Sequence, residues 1–76
     1  MYYVYVIHKN ENNKLYYGYT NNLKRRMAQH NRNGIWGLVY YEAYKSESDA
    51  RRRERRIKDY GQALTALKSR IKDSLS

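Results

Sequence analysis

Residues 16–30, YYGYTNNLKRRMAQH, change from an aromatic, strand-like pattern to a helical one within a few residues. Tyrosine favours strands, and Gly18 stands near the end of this one, where a glycine lets backbone or ligand approach closely. Short polar side chains at Thr20, Asn21 and Asn22 could each cap a helix, because their oxygens accept hydrogen bonds from free backbone N–H groups. A strand leading directly into a helix predicts a mixed α and β fold.

The helix that follows, from about Asn22 to Asn31, has Arg26 and His30 four residues apart. Residues at this spacing lie on one helical face. The first turn also presents N–H groups, and Arg26 a guanidinium, to the region of Gly18. This arrangement suits a phosphate group.

The remaining segments predict a sheet flanked by helices. Residues 2–8 and 15–19 are β-branched and aromatic and form an antiparallel hairpin with a loop of five or six residues. A third strand is expected at 38–44, and helices at about 47–59 and 62–75. The fold class is therefore α+β, a three-stranded antiparallel sheet in the order β-β-α-β-α-α. A chain of 76 residues is expected to form a single domain, residues 1–76.

The two C-terminal helices have distinct patterns. Ser46 and Asp49 resemble a capping box at the start of the first of these helices. Its residues between Ala50 and Lys58 are all basic except a glutamate and an isoleucine. The spacing i, i+4, i+7 places Ala50, Glu54 and Ile57 on the inward face, with the arginines outward. The last helix is amphipathic, with four apolar residues on one side: Leu64, Leu67, Ile71 and Leu75.

The net charge favours a polyanionic partner. Sixteen Lys and Arg residues against seven Asp and Glu residues give +9, and nucleic acid is the default partner of such a field. No apolar run approaches the roughly 20 residues that span a membrane, so no membrane partner is expected. The chain has no Cys, which excludes disulfides and thiolate metal sites and is typical of a cytoplasmic protein.

Several side chains could converge into a site for phosphodiester hydrolysis, which needs a proton acceptor, a cation and often a metal-binding carboxylate. These are Tyr5 or Tyr16, Arg26, His30 and Glu54. Each has a simpler explanation: packing for the tyrosines, solvation for the arginine, a favourable helix-dipole interaction for the histidine. The glutamate could form an ion pair with Arg51, Arg55 or Lys58.

The candidate residues fall within a set of short motifs: Tyr3-Val4-Tyr5, Tyr16-Tyr17-Gly18, Arg26, His30, and Glu54 followed by Ile57-Lys58. Taken together, these motifs resemble the GIY-YIG nuclease family, most closely its small single-domain bacterial members, and also the nuclease domain of the bacterial excision-repair incision subunit. The resemblance covers a core of about residues 2–60, with the C-terminal amphipathic helix at about 62–75 beyond it. Tyr3 stands where the family has glycine, and Tyr19 where excision-repair members often have lysine.

The resemblance implies a nuclease core that cuts a phosphodiester with one divalent metal, Mg²⁺ or Mn²⁺. Glu54 would be its sole protein ligand, and Arg26 would stabilise charge on the scissile phosphate. Tyr5 or Tyr16 would help to activate the attacking water, while His30 would relay a proton or orient the phosphate.

The interpretation is a metal-dependent endonuclease acting on DNA or structured nucleic acid, as a monomer or weak homodimer. Basic residues would follow the phosphate backbone: Arg25, Arg51, Arg52, Arg55, Arg56 and Lys58. The alternative is a non-catalytic nucleic-acid-binding module with the same fold, since charge and tyrosines serve binding equally well. A third possibility is a structural subunit whose last helix docks a partner.

Overall fold

The computed structural model describes residues 1–75 and confirms the α+β class and the order β-β-α-β-α-α. Its strands are β1 (Tyr2–Lys9), β2 (Lys14–Thr20) and β3 (Gly37–Tyr44), and they form one antiparallel sheet in the spatial order β2-β1-β3. The helices are α1 (Leu23–His30), followed by a 3₁₀ turn at Asn31–Asn33, then α2 (Glu47–Asp59), α3 (Gly61–Arg70) and α4 (Lys72–Leu75). Within residues 1–75, none of these helices is long and apolar enough to cross a membrane.

The central strand β1 is buried on both faces. Side chains alternate along a strand, so Val4 and Val6 point to one face and Tyr5 and Ile7 to the other. All four are at most 1% exposed. Because β1 lies between β2 and β3, every site residue on it has a neighbour on each side.

Helices α2, α3 and α4 cover the face of Val4 and Val6. The apolar cluster there includes residues from each of the two longer helices and the turn between α3 and α4: Ala50, Ile57, Leu67 and Ile71. Full burial of a large aliphatic side chain contributes about 1.5–3 kcal/mol, so this face supplies much of the stability of the fold. The inward placement predicted for Ala50 and Ile57 is confirmed.

The hairpin loop between β1 and β2 is shorter than expected, with four residues, 10–13, instead of five or six. The strands extend further because Asn13 adopts a left-handed conformation, with φ of 56°. Asparagine tolerates this region better than most residues. The Asn12 side chain also accepts a hydrogen bond of 3.2 Å from the backbone N–H of Lys14.

The helix caps differ in how far they match the sequence pattern. At α1, Asn22 is the cap and accepts a 3.0 Å hydrogen bond from the backbone N–H of Arg25. At α2, the predicted capping box is wrong, because the side chain of Ser46 makes no capping hydrogen bond. The carboxylates of Glu47 and Asp49 lie in the first turn instead, where they interact favourably with the helix dipole.

The last predicted helix, 62–75, is divided in two. Its apolar side packs as expected, with Leu67 and Ile71 buried and Leu64 and Leu75 against the core. At Ile71, however, the backbone leaves helical geometry, with φ of −112° and ψ of 20°. The short helix α4 that follows contacts β3.

One arginine of α2 points inward, which corrects the prediction that all of them face solvent. The guanidinium of Arg53 donates to both carboxylate oxygens of Glu42 on β3, from Nε at 2.9 and 3.1 Å and from Nη2 at 3.0 Å. The hydroxyls of Tyr40 and Tyr44 also donate to Glu42. Although burial raises the pKa of Glu42, the hydrogen bonds from Arg53 and the two tyrosines hold it below its usual value. Glu42 is therefore a charged, fully engaged acceptor at neutral pH.

Candidate active site

The site begins with the packing of Tyr5 across Gly18, its partner on β2. The Tyr5 ring is completely buried, and a Cβ atom at position 18 would overlap the ring and its hydroxyl. The close approach expected at this glycine is thus made by a tyrosine side chain and not by a ligand. Only glycine leaves enough room for the ring to cross β2.

The Tyr5 hydroxyl extends to α1, where it forms a 2.8 Å hydrogen bond with Nε2 of His30. The pKa of Tyr5 is raised to about 12, mainly by burial and also by the nearby Tyr16 and Glu54, while Arg26 acts in the opposite direction. The hydroxyl is therefore protonated at neutral pH. In the tautomer of His30 that has its proton on Nδ1, Tyr5 donates this hydrogen bond.

His30 lies among aromatic rings from three parts of the chain. Its ring centroid is 4.9 Å from that of Tyr16 on β2 and 6.4 Å from that of Trp36. Burial lowers the pKa of His30, and the positive charge of Arg26, one turn earlier on α1, lowers it further. The imidazole is therefore unprotonated near neutral pH, which also argues against its simpler explanation as a cation at the helix end.

Trp36 is a site neighbour that the sequence analysis missed. Its backbone N–H donates a 2.7 Å hydrogen bond to the side-chain oxygen of Asn31. The Lys9 ammonium lies 5.7 Å from the centroid of the Trp36 ring. The signal available in the sequence was the single tryptophan shortly before a strand.

Glu54 reaches the same region from α2. Its carboxylate forms a 3.4 Å ion pair with Lys58, whose ammonium lies 5.9 Å from the ring centroid of Tyr16. Contacts therefore connect Tyr5, His30, Tyr16, Lys58 and Glu54 in one continuous series. The sequence also suggested a simpler role for Glu54, as an ion-pair partner of Lys58, and this ion pair is present in the structure.

Glu54 opens onto a cleft of about 310 Å³. Its side chain is 25% exposed, which leaves the carboxylate accessible to a ligand. The cleft is lined by Glu54 and by Tyr19, Arg51, Arg55, Lys58 and Asp59. The cleft thus combines three cations with two carboxylates, Glu54 and Asp59, which suits a phosphate that arrives together with a divalent metal.

The chemistry of the donors present fits a weakly held hard cation. Among residues 1–75, no group of three or more His, Cys, Asp or Glu residues is close enough to enclose a metal ion. Mg²⁺ commonly keeps several waters and binds through one or two carboxylates plus substrate phosphates. Glu54 lines the cleft and its charge acts on the Tyr5 hydroxyl, so it could serve as such a ligand.

The arginines proposed to bind nucleic acid are exposed. On α2, Arg51 lies 3.7 Å from Glu47, and Arg52 lies 3.4 Å from Asp49. Exposed ion pairs of this kind contribute little stability, so these side chains can exchange partners for phosphates. Further exposed residues are Arg25, Arg55, Arg56 and Lys58.

A family model and a relative both match most of the chain. The family model for the GIY-YIG catalytic domain matches residues 1–71. A protein of Staphylococcus haemolyticus named as a UPF0213 protein is 41% identical over 68 residues, covering 76% of this chain and 80% of that protein. No solved structure matches the chain significantly.

The environment of His30 predicts an acid-shifted titration. We expect its ring signals to titrate at a pH below the ordinary value of about 6.5, because burial and Arg26 disfavour the imidazolium. Replacing Arg26 by Gln removes the second cause and should raise the midpoint. NMR titration of ¹⁵N-labelled protein measures both values. A midpoint at or above 6.5 in the wild type would contradict this description of the site.

Proposed function

The chain belongs to the GIY-YIG family, and on that premise we propose that it is a metal-dependent endonuclease acting on DNA or structured nucleic acid. The family's fold implies nucleic-acid binding and nuclease-type chemistry. The observation that most supports the proposal is the series of contacts that joins Tyr5, His30, Tyr16, Lys58 and Glu54. It gathers a proton acceptor, a cation and a carboxylate, as hydrolysis of a phosphodiester requires.

In this proposal Tyr16 contacts the attacking water. Tyr16 is 41% exposed, whereas Tyr5 is buried and has a pKa raised to about 12. A hydroxyl that holds its proton so strongly is a poor general base at neutral pH. Tyr5 instead orients His30 through the 2.8 Å hydrogen bond. In the tautomer whose Nε2–H donates to Tyr5, Nδ1 of the unprotonated imidazole beside Tyr16 is free to accept a proton.

Arg26 stabilises the negative charge that develops on the scissile phosphate. Its effects on the pKa values of Tyr5 and His30 support a position close to both groups. A guanidinium is suited to this task because it stays charged and offers several N–H donors to phosphate oxygens. Its positive charge also keeps His30 unprotonated.

Glu54 would hold the divalent cation, Mg²⁺ or Mn²⁺, with water and phosphate oxygens as the other ligands. When bound, such an ion supplies Lewis-acid stabilisation of charge on the phosphate. Lys58 shares one oxygen of Glu54, so it must move aside or retain only part of that contact. Its ammonium then remains in the cleft with Arg51 and Arg55, where it can bind a neighbouring phosphate.

A single site of this kind nicks one strand at a time. Binding depends strongly on salt, because arginines that neutralise phosphates release counterions. The exposed basic residues follow the phosphate backbone without reading base sequence. A double-strand cut requires dimerisation or two successive binding events.

A second candidate is a nucleic-acid-binding module without catalysis. The ion pair between Glu54 and Lys58 favours it, since this contact gives the carboxylate a structural partner without any metal. The basic surface and exposed tyrosines would serve binding alone. The two candidates differ in whether a metal-dependent product forms.

Cleavage assays separate these candidates. We expect the wild type to cut one or more members of a labelled panel (single strand, duplex, flap, branched junction, RNA) with Mg²⁺ or Mn²⁺, but not with chelator. Glu54→Gln should lose at least about 10²-fold in rate, as expected when a group that stabilises transition-state charge is lost. Asp59→Asn, which removes a carboxylate from the same cleft, is the matched control. Salt-sensitive binding by the wild type without any product would establish the binding module.

The two tyrosines should differ in their response to loss of the hydroxyl. Tyr16→Phe removes the water-contacting group and should lower kcat by about 10²–10⁴-fold, the usual contribution of general acid–base catalysis. Tyr5→Phe should cost less in kcat but change the titration of His30, because its hydroxyl contacts the imidazole. Single-turnover rates and NMR titrations of both variants test this assignment. An equal or larger loss for Tyr5→Phe would reverse the two roles.

A further inference from the structure

We infer that Glu42 and Arg53 are positioning residues for Glu54, an inference that rests on the proposed nuclease function. Their ion pair joins β3 to α2 one residue before the proposed metal ligand. Neither residue lines the cleft that includes Glu54. Their effect is to fix the rotation of α2 about its own axis.

The helical geometry of α2 shows why this rotation matters. Ala50 and Ile57 are buried against the core, so they define the inward stripe of the helix. At about 100° per residue, Arg53 and Glu54 lie on opposite flanks of this stripe. A roll of the helix that moves Arg53 away from the sheet therefore moves Glu54 as well.

The two flanks face opposite edges of the sheet. Arg53 bonds to Glu42 on β3, whereas the cleft of Glu54 includes Tyr19 on β2. Because β1 separates β2 from β3, the pair holds one side of α2 while the working carboxylate lies on the other. Helix α2 is thus fixed across the whole width of the sheet.

Other ion pairs of α2 do not serve this purpose. The pairs of Arg51 with Glu47 and of Arg52 with Asp49 join residues of the same helix, so they leave its rotation free. The hydroxyl of Tyr19 donates to Glu47 and attaches the first turn to β2, but this contact lies two turns before Glu54. Glu42 and Arg53 are more strongly held, with side chains only 13% and 25% exposed.

The surroundings of Glu42 make it a rigid anchor. It accepts three hydrogen bonds from Arg53 and one from each of Tyr40 and Tyr44. A forked guanidinium contact fixes direction as well as distance, which a lysine cannot do. A displacement of about 1 Å at a catalytic group can cost about 10²-fold in rate, so a small roll of α2 is sufficient to matter.

The test uses Arg53→Lys and Glu42→Gln, measured well below their melting temperatures. We expect kcat to fall by about 10- to 100-fold with KM little changed, because the misplaced Glu54 still lies in an intact binding surface. The double variant should lose no more than the worse single variant, since the two residues act as one unit.

Two controls separate positioning from stability and charge. Leu64→Ala loosens the core at α3. Its kcat is compared with that of Arg53→Lys, each variant being assayed the same number of degrees below its own melting temperature. Asp49→Asn matches the charge change of Glu42→Gln. Both controls should keep kcat near the wild-type value. A fall in kcat for Leu64→Ala equal to that of Arg53→Lys would overturn the inference.

The outcome for positioning is distinguishable from the outcome for the proposed function. If Arg53→Lys and Glu42→Gln keep the wild-type kcat while Glu54→Gln is inactive, the positioning role is overturned. The proposed nuclease function is then still supported. If the wild type itself makes no product, the proposed nuclease function is wrong. NOEs between Lys58 and the Tyr16 ring then decide whether the Glu42–Arg53 ion pair sets the rotation of α2. Their loss in Arg53→Lys, but not in Leu64→Ala, supports that role, and their retention overturns it.

Discussion

The packing of the Tyr5 ring over Gly18 determines where the other groups of the site lie. The ring crosses β2 only because position 18 has no side chain, and its hydroxyl then meets His30 on α1. This contact holds α1 against the sheet and brings Arg26 near both partners, as their pKa shifts indicate. A larger residue at position 18 would displace the ring and, with it, the histidine.

Helix α2 packs on one face of the sheet and reaches both of its edge strands. Its inward stripe packs into the apolar core, its Arg53 is fixed to Glu42 on β3, and its Glu54 opens toward the tyrosines of β2. The same helix exposes most of its arginines to solvent, so packing, phosphate binding and the proposed metal site share one element. Combining these roles in one helix is consistent with a chain of 76 residues, because so short a chain can bury only a limited apolar surface.

The sequence predicted most of the fold because local signals agreed with one another. Alternating aromatic and β-branched residues gave all three strands, and helical spacing placed Ala50 and Ile57 in the core. Long-range partners could not be read in this way. The pairing of Arg53 with Glu42 depends on α2 crossing β3, and the burial of Tyr5 under α1 depends on its contact with Gly18. The choice between Tyr5 and Tyr16 likewise rests on exposure, which ten similar tyrosines do not reveal.

Paramagnetic broadening of NMR signals by Mn²⁺ tests the proposed metal site without requiring any cleavage, because it locates a bound cation. We expect the broadening to be strongest for Glu54 and for the ring of Tyr16, and to disappear in Glu54→Gln. Broadening centred on other residues, or unchanged in that variant, would contradict the assignment of Glu54 as the metal ligand beside the tyrosines.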